Sequence, residues 1–242
     1  MLSDTEARNA LIVALDCDRA RALELTDLLA NHARWVKVGM TLFYRYGPGI
    51  VQEMKDRGFN VFLDLKVHDI PFQVHGAVRS ASLSGADIIS IHALGGSHMI
   101  ASGRSGAAEA AEIRGVGEKG RTKLVAISIL TSMNEEDLSS IGVRDTVASE
   151  VERLAKLSYS AGADGLVCSA QEASSMREIL GPEALIITPG IRPRGAEKGD
   201  QQRTATPASA IAAGASKLVI GRPITEAKDP CMAFEEIVKE LI

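Results

Sequence analysis

The sequence is poor in several features that would point to particular classes of protein. Aromatic residues make up 4% of the chain, and its three cysteines, Cys17, Cys168 and Cys231, lie far apart and form no CxxC pair. This pattern favours neither a disulfide framework nor a zinc site, and it fits a reducing compartment. Because no run of about 18 apolar residues is present, we expect no membrane-spanning helix.

The charge of the chain is nearly balanced. Its 27 basic and 31 acidic residues give a formal net charge of -4. This composition offers no basic surface for nucleic acid or an anionic membrane, so we expect neither as a partner. The net charge is still compatible with a small anionic substrate, because the electrostatic field within the binding site, and not the net charge, decides its binding. The first residues, MLSDTEARNA, lack the basic and apolar regions of a signal peptide, and we therefore expect a cytoplasmic protein.

Short β-branched runs alternate with amphipathic helix patterns along the chain. We predict eight strands, at residues 10–16, 35–40, 61–66, 88–94, 124–131, 165–169, 185–191 and 217–222. The helix patterns cover residues 20–32, 72–84, 145–161, 207–213 and 230–241. Strands that are apolar on both faces and separated by helices are typical of a parallel sheet.

The number of these units decides between two parallel folds. Eight units in 242 residues match the size of a (β/α)8 TIM barrel, whereas a doubly wound open sheet more often stops at about five or six strands. We therefore predict an α/β fold in which residues 1–242 form a single barrel catalytic domain. The recurring endings SGAD, SAGADG and AAGASK precede strands 4, 6 and 8, and they predict glycines in a left-handed conformation at the helix ends.

The segment VFLDLKVHDIP, residues 61–71, places three charged side chains where an apolar strand leaves the core. Burying Asp64, Lys66 and Asp69 there would cost stability, which points to chemistry. Alternate residues of a strand share a face, so we expect Asp64 and Lys66 to point the same way, with Asp69 in the turn before a proline-led helix. We interpret His68 as a structural residue that faces away from Asp64 and Lys66.

In a (β/α)8 barrel the active site lies at the C-terminal ends of the strands. The polar residues predicted there are Asp16, Lys37, Asp64, Lys66, His92, Thr131, Arg192, Gly221 and Arg222. Two lysines and two aspartates facing one opening would form an alternating charge network. For any one of these residues a purely structural ion pair is an alternative interpretation, but four charged residues at strand ends favour a functional site. A single strand histidine such as His92 more often packs, so we assign it no catalytic role.

The end of the eighth strand carries a candidate phosphate site in VIGRPIT, residues 219–225. Backbone N–H groups can approach a ligand at Gly221, and Arg222 supplies a forked cation. A simple helix-start role stays open for this pair. Arg192 strengthens the phosphate interpretation, and the polar segment that it opens, residues 192–203, is a candidate lid or an ordinary surface loop.

Taken in order, the motifs VALD, VKVG, DLKVHDIP, HALGG, LTSM, TPGIRP, GDQQR and VIGRPIT resemble those of the orotidine 5'-monophosphate decarboxylase family. The resemblance covers nearly the whole chain, and the motifs look like those of the bacterial branch. DxKxxD also occurs in related sugar-phosphate enzymes, but GIRP, GDQ and IGRPIT are more specific. No charged family position departs from the pattern.

This resemblance implies conversion of orotidine 5'-monophosphate to uridine 5'-monophosphate and carbon dioxide, the last step of de novo pyrimidine synthesis, with no cofactor and no metal. Lys66 would be the proton donor, with Asp64 beside the reacting carboxylate. Lys37 would connect the aspartates and the ribose, and Asp16 would bind a ribose hydroxyl. Asp69 would reach into the partner's site of a homodimer.

The resemblance also implies the remaining substrate contacts. Thr131 and Gln201 would read the pyrimidine and bridge to the phosphate, and Ile70 beside Asp69 would belong to the substrate-binding residues. The residues that would hold the phosphate are Arg192, Gly221 and Arg222. Two other functions stay open: a sugar-phosphate decarboxylase or aldolase whose acidic strand ends hold magnesium, and a barrel that binds nucleotides or phosphates without turning them over.

Overall fold

Eight parallel strands form the centre of the computed structural model, which describes residues 1–193 and 204–242. Each strand is short and is followed by at least one helix. The connection after the seventh strand also contains residues 194–203, which lie outside the described residues. The strands are β1 Leu11–Ala14, β2 Trp35–Gly39, β3 Asn60–Val67, β4 Ile88–His92, β5 Lys123–Ile127, β6 Gly165–Val167, β7 Leu185–Thr188 and β8 Lys217–Ile220.

The helices surround the strands. They are α1 Asp4–Ala10, α2 Arg19–Leu29, α3 Met40–Tyr46, α4 Gly49–Asp56, α5 Pro71–Leu83, α6 Gly96–Ile113, α7 Glu135–Ser140, α8 Val147–Ser160, α9 Ala173–Leu180, α10 Pro207–Ala212, α11 Arg222–Thr225 and α12 Pro230–Leu241. Two short 3₁₀ helices, Ala93–Gly95 and Glu118–Gly120, interrupt the connections before and after α6. The second of these lies in the glycine-rich segment that would otherwise read as plain loop.

Hydrogen bonding closes the sheet into a barrel. Successive strands pair in parallel from β1 to β8, and β8 pairs with β1. The predicted (β/α)8 barrel is therefore confirmed. The predicted strands overlap the observed ones but run too far at several C-terminal ends: β5 ends at Ile127, before Thr131, and Arg222 already belongs to α11. The error arises because apolar residues beyond a strand, such as Ile129, are also buried.

The apolar residues of the strands supply two separate cores. One face of each strand packs against the surrounding helices in a large cluster that includes Val36, Leu63 and Leu166. The other face fills the barrel interior with Ile12, Ala14, Phe62, Ile88, Val125, Ile127, Val167, Ile187 and Val219. Burial on both faces explains why the strands read as continuous apolar runs and not as an alternating pattern.

The recurring glycine endings behave as predicted. Gly85, Gly162 and Gly214 adopt φ values of 97°, 99° and 96° just before β4, β6 and β8. This left-handed conformation turns each helix end toward the next strand, and it favours glycine because a Cβ would strain it.

A polar side chain after each of these glycines also ties neighbouring strands together. The acceptors are Asp87 Oδ2 for the Val61 N–H at 2.7 Å, Asp164 Oδ2 for the Leu124 N–H at 2.8 Å and Ser216 Oγ for the Ile186 N–H at 3.1 Å. Each contact joins the start of an odd-numbered strand to the residue before the next even-numbered one. The recurring motif therefore fixes strand pairs at the N-terminal end of the barrel.

The sequence predicted no disulfide framework and no membrane-spanning helix. No disulfide joins Cys17, Cys168 and Cys231, all of which lie in the described part of the chain. Every helix in residues 1–193 and 204–242 is too short or too polar to cross a lipid bilayer.

Helices α5 and α6 approach each other closely through two glycines of α6. A Cβ at Gly106 would lie 2.3 Å from the backbone carbonyl oxygen of His75 in α5. A Cβ at Gly103, which lies nearly one turn earlier, would meet Val74 Cγ1 at 3.4 Å, an ordinary van der Waals contact. The contact at Gly106 therefore leaves no room for a side chain unless one helix moves.

We predict that Gly106→Ala lowers the free energy of unfolding by about 2 kcal/mol, because overpacking forces the α5 backbone to shift. Gly103→Ala is the matched control on the same helix, and we expect its effect to stay within about 1 kcal/mol since alanine fits there and favours the helix. Urea denaturation of both variants measures the difference. Equal stabilities would contradict the close contact.

Candidate active site

A cavity of about 560 Å³ lies at the C-terminal ends of the strands. Part of its wall is apolar, formed by Ala14, Phe62, Ile127, Ile129, Val167 and Val219. The predicted site residues that line it are Asp16, Lys37, Asp64, Lys66, Thr131, Arg192, Gly221 and Arg222. The barrel thus gathers residues from the first, second, third, fifth, seventh and eighth βα units at one opening.

Four of these side chains form an alternating charge network. Lys37 Nζ donates to Asp16 Oδ1 at 2.8 Å and lies 3.7 Å from Asp64 Oδ2. Lys66 Nζ donates to the same Asp64 oxygen at 2.9 Å. Each carboxylate therefore has at least one ammonium neighbour, and Asp64 has two.

Asp64 is the most deeply placed carboxylate of the network, with a relative exposure of 8%. Burial alone would raise the pKa of its carboxyl. The positive charges of Lys37 and Lys66, with hydrogen bonds from Lys66 and Ser90, outweigh burial and hold the pKa below its usual value. Asp64 is consequently ionised at neutral pH and keeps a fixed negative charge beside the cavity.

Strand β3 is irregular where it carries these groups. Its pairing with β4 stops at Leu63 and resumes at Val67. Residues 64–66 therefore stand opposite the single residue Ser90, which makes a bulge. Lys66 has φ 53°, the one positive φ of a non-glycine residue in the described part of the chain. Asp64 and Lys66 do meet as expected, but a bulge brings them together and not the plain alternation of a strand.

Two residues of the site were not anticipated. Ser90 Oγ donates to Asp64 Oδ1 at 2.8 Å, although a serine within an apolar strand reads as a packing residue. Gly39 lies beside the first ion pair, because a Cβ there would stand 3.0 Å from Asp16 Oδ1 and 3.1 Å from Lys37 Nζ. A polar residue at an inward position of a strand and a glycine directly after a strand lysine are the signals that could have found them.

The two histidines near the site contact each other. The rings of His68 and His92 stack with centroids 5.4 Å apart, which agrees with packing roles for both. Burial lowers the pKa of His92, and the neighbouring His68 and Lys66 lower it further. His92 is therefore neutral at neutral pH.

The opposite side of the cavity carries the predicted phosphate residues. Arg222 begins α11 and also lines the cavity, so its helix-start position and its cavity position coincide. Arg192 follows β7, and its backbone N–H donates to the Ala205 carbonyl at 2.9 Å. Thr131 lines the cavity from the turn after β5. Guanidinium groups at two strand ends suit a dianionic ligand.

Two predicted site residues fall outside this cavity, and a third lies outside the described residues. Asp69 and Ile70 are exposed, neither is among the described residues that line it, and Asp69 Oδ1 accepts the Ile70 N–H at 2.6 Å. Gln201 and most of the candidate lid lie in residues 194–203, outside the described residues.

The chemistry of the site follows from its charges. No cluster of three His, Cys, Asp or Glu side chains that could hold a metal occurs among the residues that the structure describes. The carboxylates of Asp16 and Asp64 contact lysine ammonium groups. A fixed ammonium at the cavity wall can stabilise negative charge that develops on a bound molecule and can then deliver a proton to it.

Comparison with known proteins places this geometry in a family. Residues 9–237 match the model of the family described as "Orotidine 5'-phosphate decarboxylase / HUMPS family". A Vibrio cholerae protein named orotidine 5'-phosphate decarboxylase is 47% identical over 233 residues, which cover 96% of this chain and 98% of that protein. The protein of the same name from Chromohalobacter salexigens is 46% identical and covers 96% of this chain and 95% of its own length.

Solved structures agree with the sequence comparison. The crystal structure of orotidine 5'-phosphate decarboxylase from Lactobacillus acidophilus has a TM-score of 0.82 and 38% sequence identity, and it covers 96% of this chain and 98% of its own. A match of this extent in sequence and in structure shows common descent over the whole barrel. The chain therefore belongs to the orotidine 5'-phosphate decarboxylase / HUMPS family.

Proposed function

We propose that this chain decarboxylates orotidine 5'-monophosphate to uridine 5'-monophosphate and carbon dioxide, the last step of de novo pyrimidine synthesis, as a single catalytic domain of the cytoplasm. The observation that carries the proposal is the ion pair between buried Asp64 and Lys66 at the cavity wall. The family to which the chain belongs and the names of its relatives support the same reaction.

The reaction needs direct stabilisation of charge. Loss of carbon dioxide from the pyrimidine leaves an electron pair on a ring carbon that has no neighbouring carbonyl to accept it. The ammonium of Lys66 stabilises this carbanion and then transfers a proton to the same carbon. Asp64 pairs with the ammonium of Lys66 and lies beside the reacting carboxylate. No cofactor is needed, because the charges of the protein do this work.

The other charged residues position the substrate. Asp16 accepts a hydrogen bond from a ribose hydroxyl. Lys37 bridges Asp16 and Asp64, so it connects the network to the ribose. Thr131 and Gln201 read the pyrimidine and reach toward the phosphate. The apolar wall that includes Phe62 and Val167 suits the faces of a pyrimidine ring.

The phosphate lies at the other side of the cavity, with Arg192, Gly221 and Arg222. It is remote from the bond that breaks, yet its binding energy can organise the charged network around the reacting carbon. A phosphate contact of this kind therefore contributes to turnover as well as to substrate affinity.

The active unit is a homodimer in which Asp69 enters the partner's site. Asp69 is exposed beside Ile70 and Phe72, whose relative exposures are 63% and 81%. Leu94, in the 3₁₀ helix after the neighbouring strand β4, is 41% exposed. Large exposed apolar side chains that lie close to Asp69 in the chain and after the neighbouring strand support an interface at this place.

We expect purified protein to convert orotidine 5'-monophosphate to uridine 5'-monophosphate in the presence of a chelator, with near-complete loss of turnover in Lys66→Ala and a retained fold. Ultraviolet absorbance follows the reaction. Lys123→Ala, which removes a lysine that pairs with Asp164 at the N-terminal end of the barrel, away from the cavity, is the control and keeps wild-type turnover. Normal turnover by Lys66→Ala would refute the role of Lys66, and turnover that needs magnesium would favour a sugar-phosphate enzyme.

For Arg222→Ala we expect kcat/KM to fall by about a hundredfold, the scale of a lost charge-assisted phosphate contact of about 3 kcal/mol. Arg222→Lys keeps the charge but loses the fork, so it should fall between the wild type and Arg222→Ala. Steady-state kinetics of the three proteins measures the effect. An unchanged kcat/KM in Arg222→Ala would remove this residue from the phosphate site.

Mixing two inactive variants tests whether sites are shared. In a hybrid dimer of Asp69→Ala and Lys66→Ala, one of the two sites contains neither substitution. Equal mixing with free exchange should therefore restore about a quarter of the wild-type activity, given a symmetric dimer. A mixture of Asp64→Ala and Lys66→Ala is the control, because these residues belong to one subunit's network and should give no recovery. Absence of recovery with Asp69→Ala, despite demonstrated subunit exchange, would contradict shared sites.

A further inference from the structure

Ser90 in β4 is hydrogen-bonded to both residues of the Asp64–Lys66 pair. Its hydroxyl donates to Asp64 Oδ1 at 2.8 Å and accepts the backbone N–H of Lys66 at 2.9 Å. The residue has a relative exposure of 0%. Because water has no access to Ser90, loss of the hydroxyl would leave a carboxylate oxygen and an amide without these partners.

The bond from Lys66 to Ser90 compensates for the bulge in β3. Residues 64–66 stand opposite Ser90 alone, since regular pairing stops at Leu63 and resumes at Val67. The side-chain hydroxyl of Ser90 thus takes the place that a backbone carbonyl holds in a regular ladder. A serine at this position satisfies a strand that carries two more residues than its neighbour.

The same bond supports an unfavourable backbone conformation. Lys66 has φ 53°, and a left-handed conformation is strained for a non-glycine residue, so it persists only where its surroundings fix it. Lys66 is held at both ends, by Ser90 at its amide and by Asp64 at its ammonium. Ser90 connects these two contacts, because its hydroxyl bonds to the Lys66 amide and to the Asp64 carboxylate.

We infer that Ser90 is a positioning residue for the reaction: its hydroxyl fixes the left-handed backbone of Lys66 and the orientation of Asp64, and so aims the ammonium into the cavity. This inference rests on the proposed function. Without the hydroxyl the bulge relaxes and the ammonium moves away from the reacting carbon. Displacement of a reacting group by about 1 Å can cost about a hundredfold in rate.

Ser90→Ala tests the inference, with Ser128→Ala as the matched control. Ser128 also has a relative exposure of 0%, and its hydroxyl donates to the Val167 carbonyl at 2.9 Å without touching the charge network. We expect kcat on orotidine 5'-monophosphate to fall about a hundredfold in Ser90→Ala and to stay within about threefold in Ser128→Ala. The Kd of uridine 5'-monophosphate should change by less than about threefold in both, because the phosphate and ribose contacts remain.

Ser90→Cys separates hydrogen bonding from shape. A thiol is close in shape to a hydroxyl, though larger, and is a weak donor and acceptor, so this variant should lose kcat as Ser90→Ala does. Wild-type kcat in Ser90→Cys or Ser90→Ala would overturn the inference, and so would equal losses in Ser90→Ala and Ser128→Ala. If Ser90→Ala does not fold, Ser90→Cys carries the same comparison.

Hydrogen exchange of the Lys66 amide gives a readout that is independent of activity. We expect this amide to exchange at least about tenfold faster in Ser90→Ala and at the wild-type rate in Ser128→Ala, because its acceptor is lost only in the former. An unchanged rate in folded Ser90→Ala would overturn the inference. Wild-type turnover is measured first: its absence would contradict the proposed function, whereas the exchange rates still decide whether Ser90 holds Lys66.

Discussion

The ionised carboxylate of Asp64 is the group on which the arrangement of the site depends. A charge with 8% exposure inside a barrel is costly unless it is paired and hydrogen-bonded. Lys37, Lys66 and Ser90 together meet that requirement. Removal of any one of them leaves a buried charge with fewer partners, so these residues act as one unit and their effects should not be additive.

Asp64 also determines what the neighbouring residues must be. Lys37 lies between Asp64 and Asp16, and a Cβ at position 39 would press on the Asp16 and Lys37 side chains at 3.0 and 3.1 Å, which favours glycine there. The bulge that lets Lys66 reach Asp64 requires a small side-chain acceptor on β4, and Ser90 supplies it. The local backbone thus follows from the need to place two ammonium groups on one carboxylate.

The two ends of the barrel have different roles. At the N-terminal end, Asp87 and Asp164 accept backbone N–H groups, and Lys217 Nζ lies 4.0 Å from the centre of the Trp35 ring. Burial lowers the pKa of Lys217 to about 8, because loss of hydration disfavours the charged form of its amine. Regular pairing at that end supports the irregular strand at the other, where the reacting groups lie.

The sequence predicted the barrel well because apolar periodicity and the order of strands and helices are local properties. It also placed Asp16, Lys37, Asp64 and Lys66 at one opening, since the ends of parallel strands meet there. It missed Ser90 and Gly39, whose roles depend on a bulge and on a close approach that only three-dimensional pairing reveals. Asp69 depends on a second subunit and Gln201 lies outside the described residues, so their roles stay predictions.

The kcat/KM of Asp64→Asn on orotidine 5'-monophosphate shows whether the network needs the negative charge at its centre. Asparagine keeps the shape of the side chain and removes its charge. If the Asp64 carboxylate organises the two ammonium groups, kcat/KM falls by about a thousandfold or more while the fold and the affinity for uridine 5'-monophosphate are retained. A kcat/KM within about tenfold of wild type would show that the network works without its central charge and that the Asp64 carboxylate does not organise it.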